Sequence, residues 1–330
     1  MIIRDKQDLR KCVKQCVRRA PVIETHALHS VIQGEYGIDP YLSSWRICDE
    51  SLQETFERVC DGSPLDQKAF SLIAALDALQ LPAHDLDKAE SIIRGYRWDE
   101  YLNAVLSALR AKRVLVRVGA DADAILERAD ERIVPVVEVG EEFFEAGRYG
   151  VDYESAAGRI ARAARSVDTF DIALNTVSES ALKYCLIPVC EDEHLVLHIC
   201  AENAEQMNVL VEELRLHSTV RAIISVQENN EREMISKAVA LPNVLVQLRD
   251  TANIPYALQK LGTRFIPYAS NAVSPEEMLG GWIYAKEALW QAMYEAYLPL
   301  ARTGYELTRE RIEADVEKLL CGNYENIHKW

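Results

Sequence analysis

The chain of 330 residues is 49% hydrophobic and 27% charged, the composition of a globular protein long enough for one barrel-sized domain or two ordinary ones. Its 52 acidic and 37 basic side chains leave a formal net charge of -15, which disfavours non-specific binding to nucleic acid or anionic membrane surfaces. No apolar run approaches the ~20 residues of a membrane span, and the charged stretch from Met1 to Arg19 lacks the apolar core of a secretion signal.

In chain order, residues 5–19 carry Leu9, Val13, Cys16 and Val17 at helical spacing, with basic residues on the solvated face. A β-branched strand from Val22 to His26 then leads into Ala27, Leu28 and His29. Residues 40–110 read as a helical insertion, with segments at 51–59, 65–81, 87–94 and 99–111 punctuated by Gly62-Ser63-Pro64 and Leu81-Pro82. From there short β-branched runs alternate with helices. The runs are 113–119, 133–139, 170–177, 194–200, 220–227, 243–249 and 263–270, and the opening strand makes eight. Strands alternating with helices form parallel βαβ units, and eight such units predict an α/β fold of the (β/α)8 TIM-barrel type. A doubly wound open sheet is the competing arrangement; no GxGxxG follows any strand, which removes its dinucleotide-binding form. Residues 275–320 read as two amphipathic helices that cover the barrel, and the aromatic-rich first of them offers a packing or self-association surface. With no internal repeat or linker, 1–330 reads as a single domain with its helical insertion at 40–110 and extra helices at the C-terminal end. The eight cysteines fit neither a zinc knuckle nor a CxxC pair and are expected as reduced thiols of a cytoplasmic protein.

Barrel chemistry sits at the C-terminal ends of the strands, and period-two alternation selects the side chains that reach it. Strand one offers Glu24 and His26, strand two Arg117, and strand three Glu138. Strand four, through Asp171 and Ala173, delivers Asn175; strand five delivers His198 and then Cys200. Strand six gives Ser225 and Gln227, strand seven Gln247 and Arg249, and strand eight Asn271. Across neighbouring strands, Glu138 is either a structural partner of Arg117 or a catalytic group. His84, His194 and His217 read as surface residues, and His328 as incidental.

These strand ends resemble the amidohydrolase superfamily, in particular its uronate isomerase branch, over essentially the whole barrel. Ile23-Glu24-Thr25-His26 is similar to the opening strand followed by Asp-x-His-x-His, and Val196-Leu197-His198-Ile199 to the fifth-strand histidine. Leu241-Pro242-Asn243-Val244 resembles the Pro-Asn-Val entry to strand seven, Tyr268-Ala269-Ser270-Asn271 the turn after strand eight, and Gly322-Asn323 the closing segment. The long helical insertion after strand one is also found in that branch. The resemblance implies a divalent cation, zinc above all, which acidifies a bound water or polarises a substrate oxygen while a carboxylate moves protons.

At the metal-binding positions the chain departs from the pattern. The second histidine of the motif falls on Leu28, with His29 displaced by one; Ser225 stands for the sixth-strand histidine, and Asn271 for the eighth-strand aspartate. Asparagine keeps the shape of a carboxylate without its charge or basicity. Four readings stand. In the first, a metal-dependent hydrolase or sugar-acid isomerase has a rearranged mononuclear site on His26, His29 and His198, with Asn271, Glu138 and Arg249 as catalytic groups and Arg117, Asn175 and Gln247 binding substrate. In the second, a metal-free barrel binds a small anion, with Arg117 and Arg249 clamping a carboxylate or phosphate. In the third, the chain is an inactive paralogue acting as a scaffold; in the fourth, it is a barrel of an unrelated metal-free family. The expected partner is a small molecule such as a carboxylate or sugar acid, with no nucleic acid or membrane and with self-association into a homo-oligomer.

Overall fold

The computed structural model describes residues 3, 5–27, 67–119, 130–144, 146–147, 150–174, 178–226, 230–272, 274–303 and 305–329. The expected helix at 51–59, the Gly62-Ser63-Pro64 break, and Leu28, His29, Asn175 and Gln227 lie outside these residues. The opening helix α1 (Lys6–Arg19) is capped by the Asp5 carboxylate, which accepts from the Asp8 amide, and it buries the apolar face read from the sequence. Eight strands follow in the expected order: β1 (Val22–Ala27), β2 (Ala111–Val118), β3 (Ile133–Glu138), β4 (Asp171–Leu174), β5 (Val196–Ala201), β6 (Arg221–Val226), β7 (Val244–Gln247) and β8 (Phe265–Ile266). They form one parallel sheet in chain order. Its strands are apolar on both faces, as β6 shows with Ala222, Ile223, Ile224 and Val226 all buried, because helices cover the outside and side chains fill the inside. Each fully buried Val, Leu or Ile contributes roughly 1.5–3 kcal/mol. The architecture is that of a (β/α)8 barrel.

Two local departures shape the site. In β1 the register against β2 slips: Glu24 pairs with Val114 and Ala27 with Val116, so three steps on one strand oppose two on the other. This bulge breaks the alternation between Glu24 and His26 on which the sequence reading relied. In β8 only two residues pair with β7, at Val246 and Gln247. The run ends at Pro267, which has no N–H to give to a ladder, so the strand read over 263–270 is cut short.

No backbone ladder joins β8 to β1 among the described residues. Side-chain bonds instead tie β1 to the end of β7 and to the segment after β8. Thr25 Oγ1 donates to Gln247 Oε1 at 2.5 Å, and the Glu24 carboxylate accepts from the Ser270 amide at 3.2 Å.

The helices between strands are α5 (Tyr153–Ser166), α6 (residues 179–193, with a π-turn at Leu182–Leu186), α7 (Ala204–Leu216), α8 (Glu231–Ala238) and α9 (Ile254–Leu261). From the insertion come α2 (Gln67–Ala78), α3 (Leu86–Ile93) and α4 (Trp98–Leu109). The long α10 (Pro275–Arg302) starts on a Ser274 cap with Pro275 in its first turn, and packs on α1, α2, α4 and α9. Its Gly280 and Gly281 are needed for close approach: a Cβ there would lie 2.2 Å from the Ser71 carbonyl oxygen and 2.3 Å from the Tyr268 hydroxyl. Trp282 and Trp290 of this helix are buried within the chain. The chain ends with α11 (Arg309–Glu317), a π-turn over Lys318–Gly322, and α12 (Asn323–Ile327). There Asn323 Nδ2 donates to the Thr263 and Phe265 carbonyls at 2.5 and 2.8 Å, tying the C-terminal segment to the start of β8.

Candidate functional site

At the C-terminal ends of the strands the structure gathers His26, Arg117, Glu138, Cys200, Ser225, Gln247, Arg249 and Asn271, in the positions read from the sequence. Asn271 joins three of them. It adopts φ +47°, a left-handed conformation that asparagine tolerates better than most side chains. In the amide orientation that satisfies both ends, its nitrogen donates to His26 Nδ1 at 2.7 Å. Its oxygen accepts from Arg249 Nε at 3.1 Å and Nη2 at 2.9 Å. Arg249 Nη1 completes the fan with a 3.4 Å contact to Cys200 Sγ. The backbone that carries Arg249 is held from behind, since the buried Glu231 carboxylate accepts from the Arg249 and Asp250 amides and from Asn253 Nδ2.

His26 is neutral here. Burial holds its pKa well below the ordinary value, and the charges of Arg117, His198 and Arg249 push the same way. Because Nδ1 accepts from Asn271, the ring proton sits on Nε2, which makes His26 a donor toward a ligand. Arg117, 5% exposed, is paired with Glu138 through Nη1 and Oε1 at 3.3 Å. Burial lowers its pKa and Glu138 partly restores it. The structural pairing of these two residues is therefore present, and it sits at the mouth itself. Arg249 differs: among the described residues its guanidinium meets an amide oxygen and a thiol, and no carboxylate.

Glu24 does not line the mouth. Its carboxylate, fully buried, accepts from the His26 amide at 2.7 Å, the Ser270 amide, and Trp282 Nε1 at 2.7 Å on α10. Burial raises its pKa, and these donors oppose the rise. Gln247 has its amide oxygen engaged by Thr25.

His198 lies midway along β5, and its Nε2 turns toward the opposite end of the barrel, 2.7 Å from Asp171 Oδ1 at the start of β4. Asp171 also accepts from the Tyr324 hydroxyl at 2.8 Å and from His328 Nε2 at 3.0 and 3.1 Å. Burial presses the Asp171 carboxyl upward, but hydrogen bonds from His198 and His328 outweigh it and hold the group well below the usual carboxylate range. For His328 burial lowers the pKa and Asp171 reverses it, giving a net rise. The reading of His328 as incidental is thus corrected: it belongs to a buried network. Asp171 was legible as inward-facing, two ladder positions below His198. Tyr324 and His328 carry no such signal, because they lie 153 and 157 positions from Asp171 in the sequence.

Among the described residues, which do not include His29, the donors present do not fit the divalent cation that the resemblance implies. The Glu24 oxygens take three N–H donors, one nitrogen of His26 takes the Asn271 amide, and one nitrogen of His198 takes Asp171. Two guanidiniums act on His26, where a dication would meet like charge. Among the described residues no three His, Cys, Asp or Glu side chains are grouped to hold a metal ion.

The fold and these strand ends define a (β/α)8 barrel with a cationic mouth. No family model and no curated protein sequence matches the chain. Among solved structures it is similar to a uronate isomerase from Bacillus halodurans C-125, with a TM-score of 0.81 and 16% identity, over 99% of this chain and 97% of that one. A second similar structure is amidohydrolase 2 from Bifidobacterium longum subsp. infantis, with a TM-score of 0.45 and 13% identity, over 94% of this chain and 98% of that one. The likeness to the uronate isomerase shows the fold, and the fold expected from the resemblance is the one found. No described helix is long and apolar enough to cross a membrane.

Proposed function

We propose that the barrel mouth binds a small organic carboxylate of the sugar-acid class, held by Arg249 and Arg117, without a divalent cation at the strand-one and strand-five histidines. The observation that carries this reading is Arg249: a half-buried guanidinium oriented by Asn271 and Cys200, with no carboxylate partner among the described residues. A buried charge held by neutral groups gains most from an incoming anion, and guanidinium geometry suits a carboxylate. Neutral His26 supplies an Nε2–H donor for a further substrate oxygen. Glu138, paired with Arg117, is the basic group for a step that moves a proton between neighbouring carbons, as sugar-acid isomerisation does. The similar protein from Bacillus halodurans C-125 is a uronate isomerase, and a uronate is a sugar acid of this class.

The test is calorimetric titration of protein dialysed against EDTA with D-glucuronate, D-galacturonate and the neutral sugar D-glucose. The acids bind and glucose does not. Arg249→Gln weakens the acids by at least about tenfold, the loss of one charge-assisted hydrogen bond. Equal binding of glucose, or unchanged affinity in R249Q, refutes the clamp. Binding that vanishes after EDTA and returns with zinc refutes the cation-free part.

A further inference from the structure

We infer that the barrel carries a second binding site, at its N-terminal end, for a small organic anion with an apolar body. A cavity of about 370 Å³ opens there beside the start of β6, the turns entering β7 and β8, and the C-terminal segment. Four of the side chains lining it are cationic: Arg221, Arg264, Lys318 and Lys329. None of the described residues lining it is acidic. In a chain of net charge -15, four cations around one cavity form a local field of the opposite sign.

The walls are built. Arg264 donates to the Leu241 and Ala238 carbonyls at 2.7 and 2.8 Å, so among the described residues its charge meets carbonyl dipoles and no carboxylate. Arg221 is fixed by the Ile327 and His194 carbonyls at 2.8 and 2.9 Å. Asn243 and Asn323, both buried, spend their amide nitrogens on backbone carbonyls and hold the strand entries in place. Against these fixed guanidiniums stand two exposed lysines, Lys318 and Lys329, with no ion-pair partner among the described residues. Pro242, Leu245 and Ile327 give the cavity an apolar side. A negative headgroup between the cations and a ring or short aliphatic body on that side satisfies both surfaces at once. The site stands apart from the mouth, since it lies where the strands begin and the mouth lies where they end.

The experiment is calorimetric titration of the full chain with phenyl phosphate, inorganic phosphate and benzoate. It compares wild type, Lys318→Glu/Lys329→Glu and Arg249→Gln. In wild type phenyl phosphate binds more tightly than inorganic phosphate, because the ring covers the apolar side. The double variant loses on the order of 100-fold, roughly tenfold for each charge-assisted contact, while R249Q stays within about twofold of wild type. Benzoate tells a carboxylate from a phosphate headgroup, and its loss in the double variant supports the site equally. Both lysines are exposed, so the unliganded variant melts with wild type; the neutral Lys318→Gln/Lys329→Gln pair, intermediate in affinity, provides the second reading. No phenyl phosphate binding to wild type, retained binding in both lysine variants, or loss in R249Q overturns the inference.

Discussion

Replacing Asp171 by Asn tests the buried network beneath the mouth. The carboxylate, 3% exposed, receives three side chains from β5 and the C-terminal segment within 3.1 Å. Asparagine keeps one acceptor oxygen and turns a donor toward side chains that donate. Breaking one side of a buried ion pair costs about 3–5 kcal/mol. With an unfolding entropy near 2.1 cal/mol/K per residue, 330 residues translate each kcal/mol into roughly 1.4 °C, so Asp171→Asn lowers the melting temperature by about 6 °C. The pH dependence is more telling. The His328 pKa is raised on folding, so its contribution is complete below the unfolded value near 6.5 and is lost as pH rises through the folded value. The Asp171 pKa is depressed, so its contribution is present above about 3.9 and is lost as pH falls through the folded value. His26, kept neutral by burial, opposes stability below about 6.5, but equally in both proteins, and cancels in the difference. Urea denaturation from pH 4 to 9 therefore gives a wild-type advantage greatest between about 4 and 6.5 and shrinking above. An advantage that is flat with pH, or a shift in melting temperature under about 2 °C, refutes the reasoning.

Glu24→Ala leaves the His26 and Ser270 amides and the Trp282 indole without their acceptor, at about 1–3 kcal/mol each; thermal melting drops by at least about 4 °C, and unchanged melting with unchanged tryptophan emission would contradict the assignment. Gly280→Ala drives a methyl group into the Ser71 carbonyl at 2.2 Å and forces α2 away from α10, so denaturation measurements show a loss of about 1–3 kcal/mol; a neutral effect would mean that the two helices do not pack as described.

Much of the barrel was legible because its strands are β-branched runs bounded by turn residues, a local signal that tertiary packing reinforces. Ala204–Leu216 forms the helix read from its spacing. The end of the last strand is less legible, because its apolar run continues past Pro267, where the pairing stops. The mouth was legible as a set of positions, since alternation carries Arg117, Glu138 and Cys200 to strand ends with little ambiguity. It was less legible on β1, where a bulge sends Glu24 toward Trp282 while His26 stays at the mouth. Bulges leave no reliable mark in one sequence. The orientation of His198 was hidden for another reason: its partner lies 27 positions away on the neighbouring strand, and the groups that complete the network come from the chain's far end.

Among the described residues, the gap between β8 and β1 makes the barrel a ring with a clasp, and the clasp is also the candidate binding site. Asn271, just past β8, grips His26 of β1 with one end of its amide and Arg249, beyond β7, with the other. On the proposed reading, an anion taken up by Arg249 would add a tie beside the same opening, and loosening the opening would disperse the groups proposed to hold it. If that ligand binds there, ring closure and ligand affinity would be one equilibrium seen from two sides, and by linkage whatever tightens one would tighten the other to the same degree.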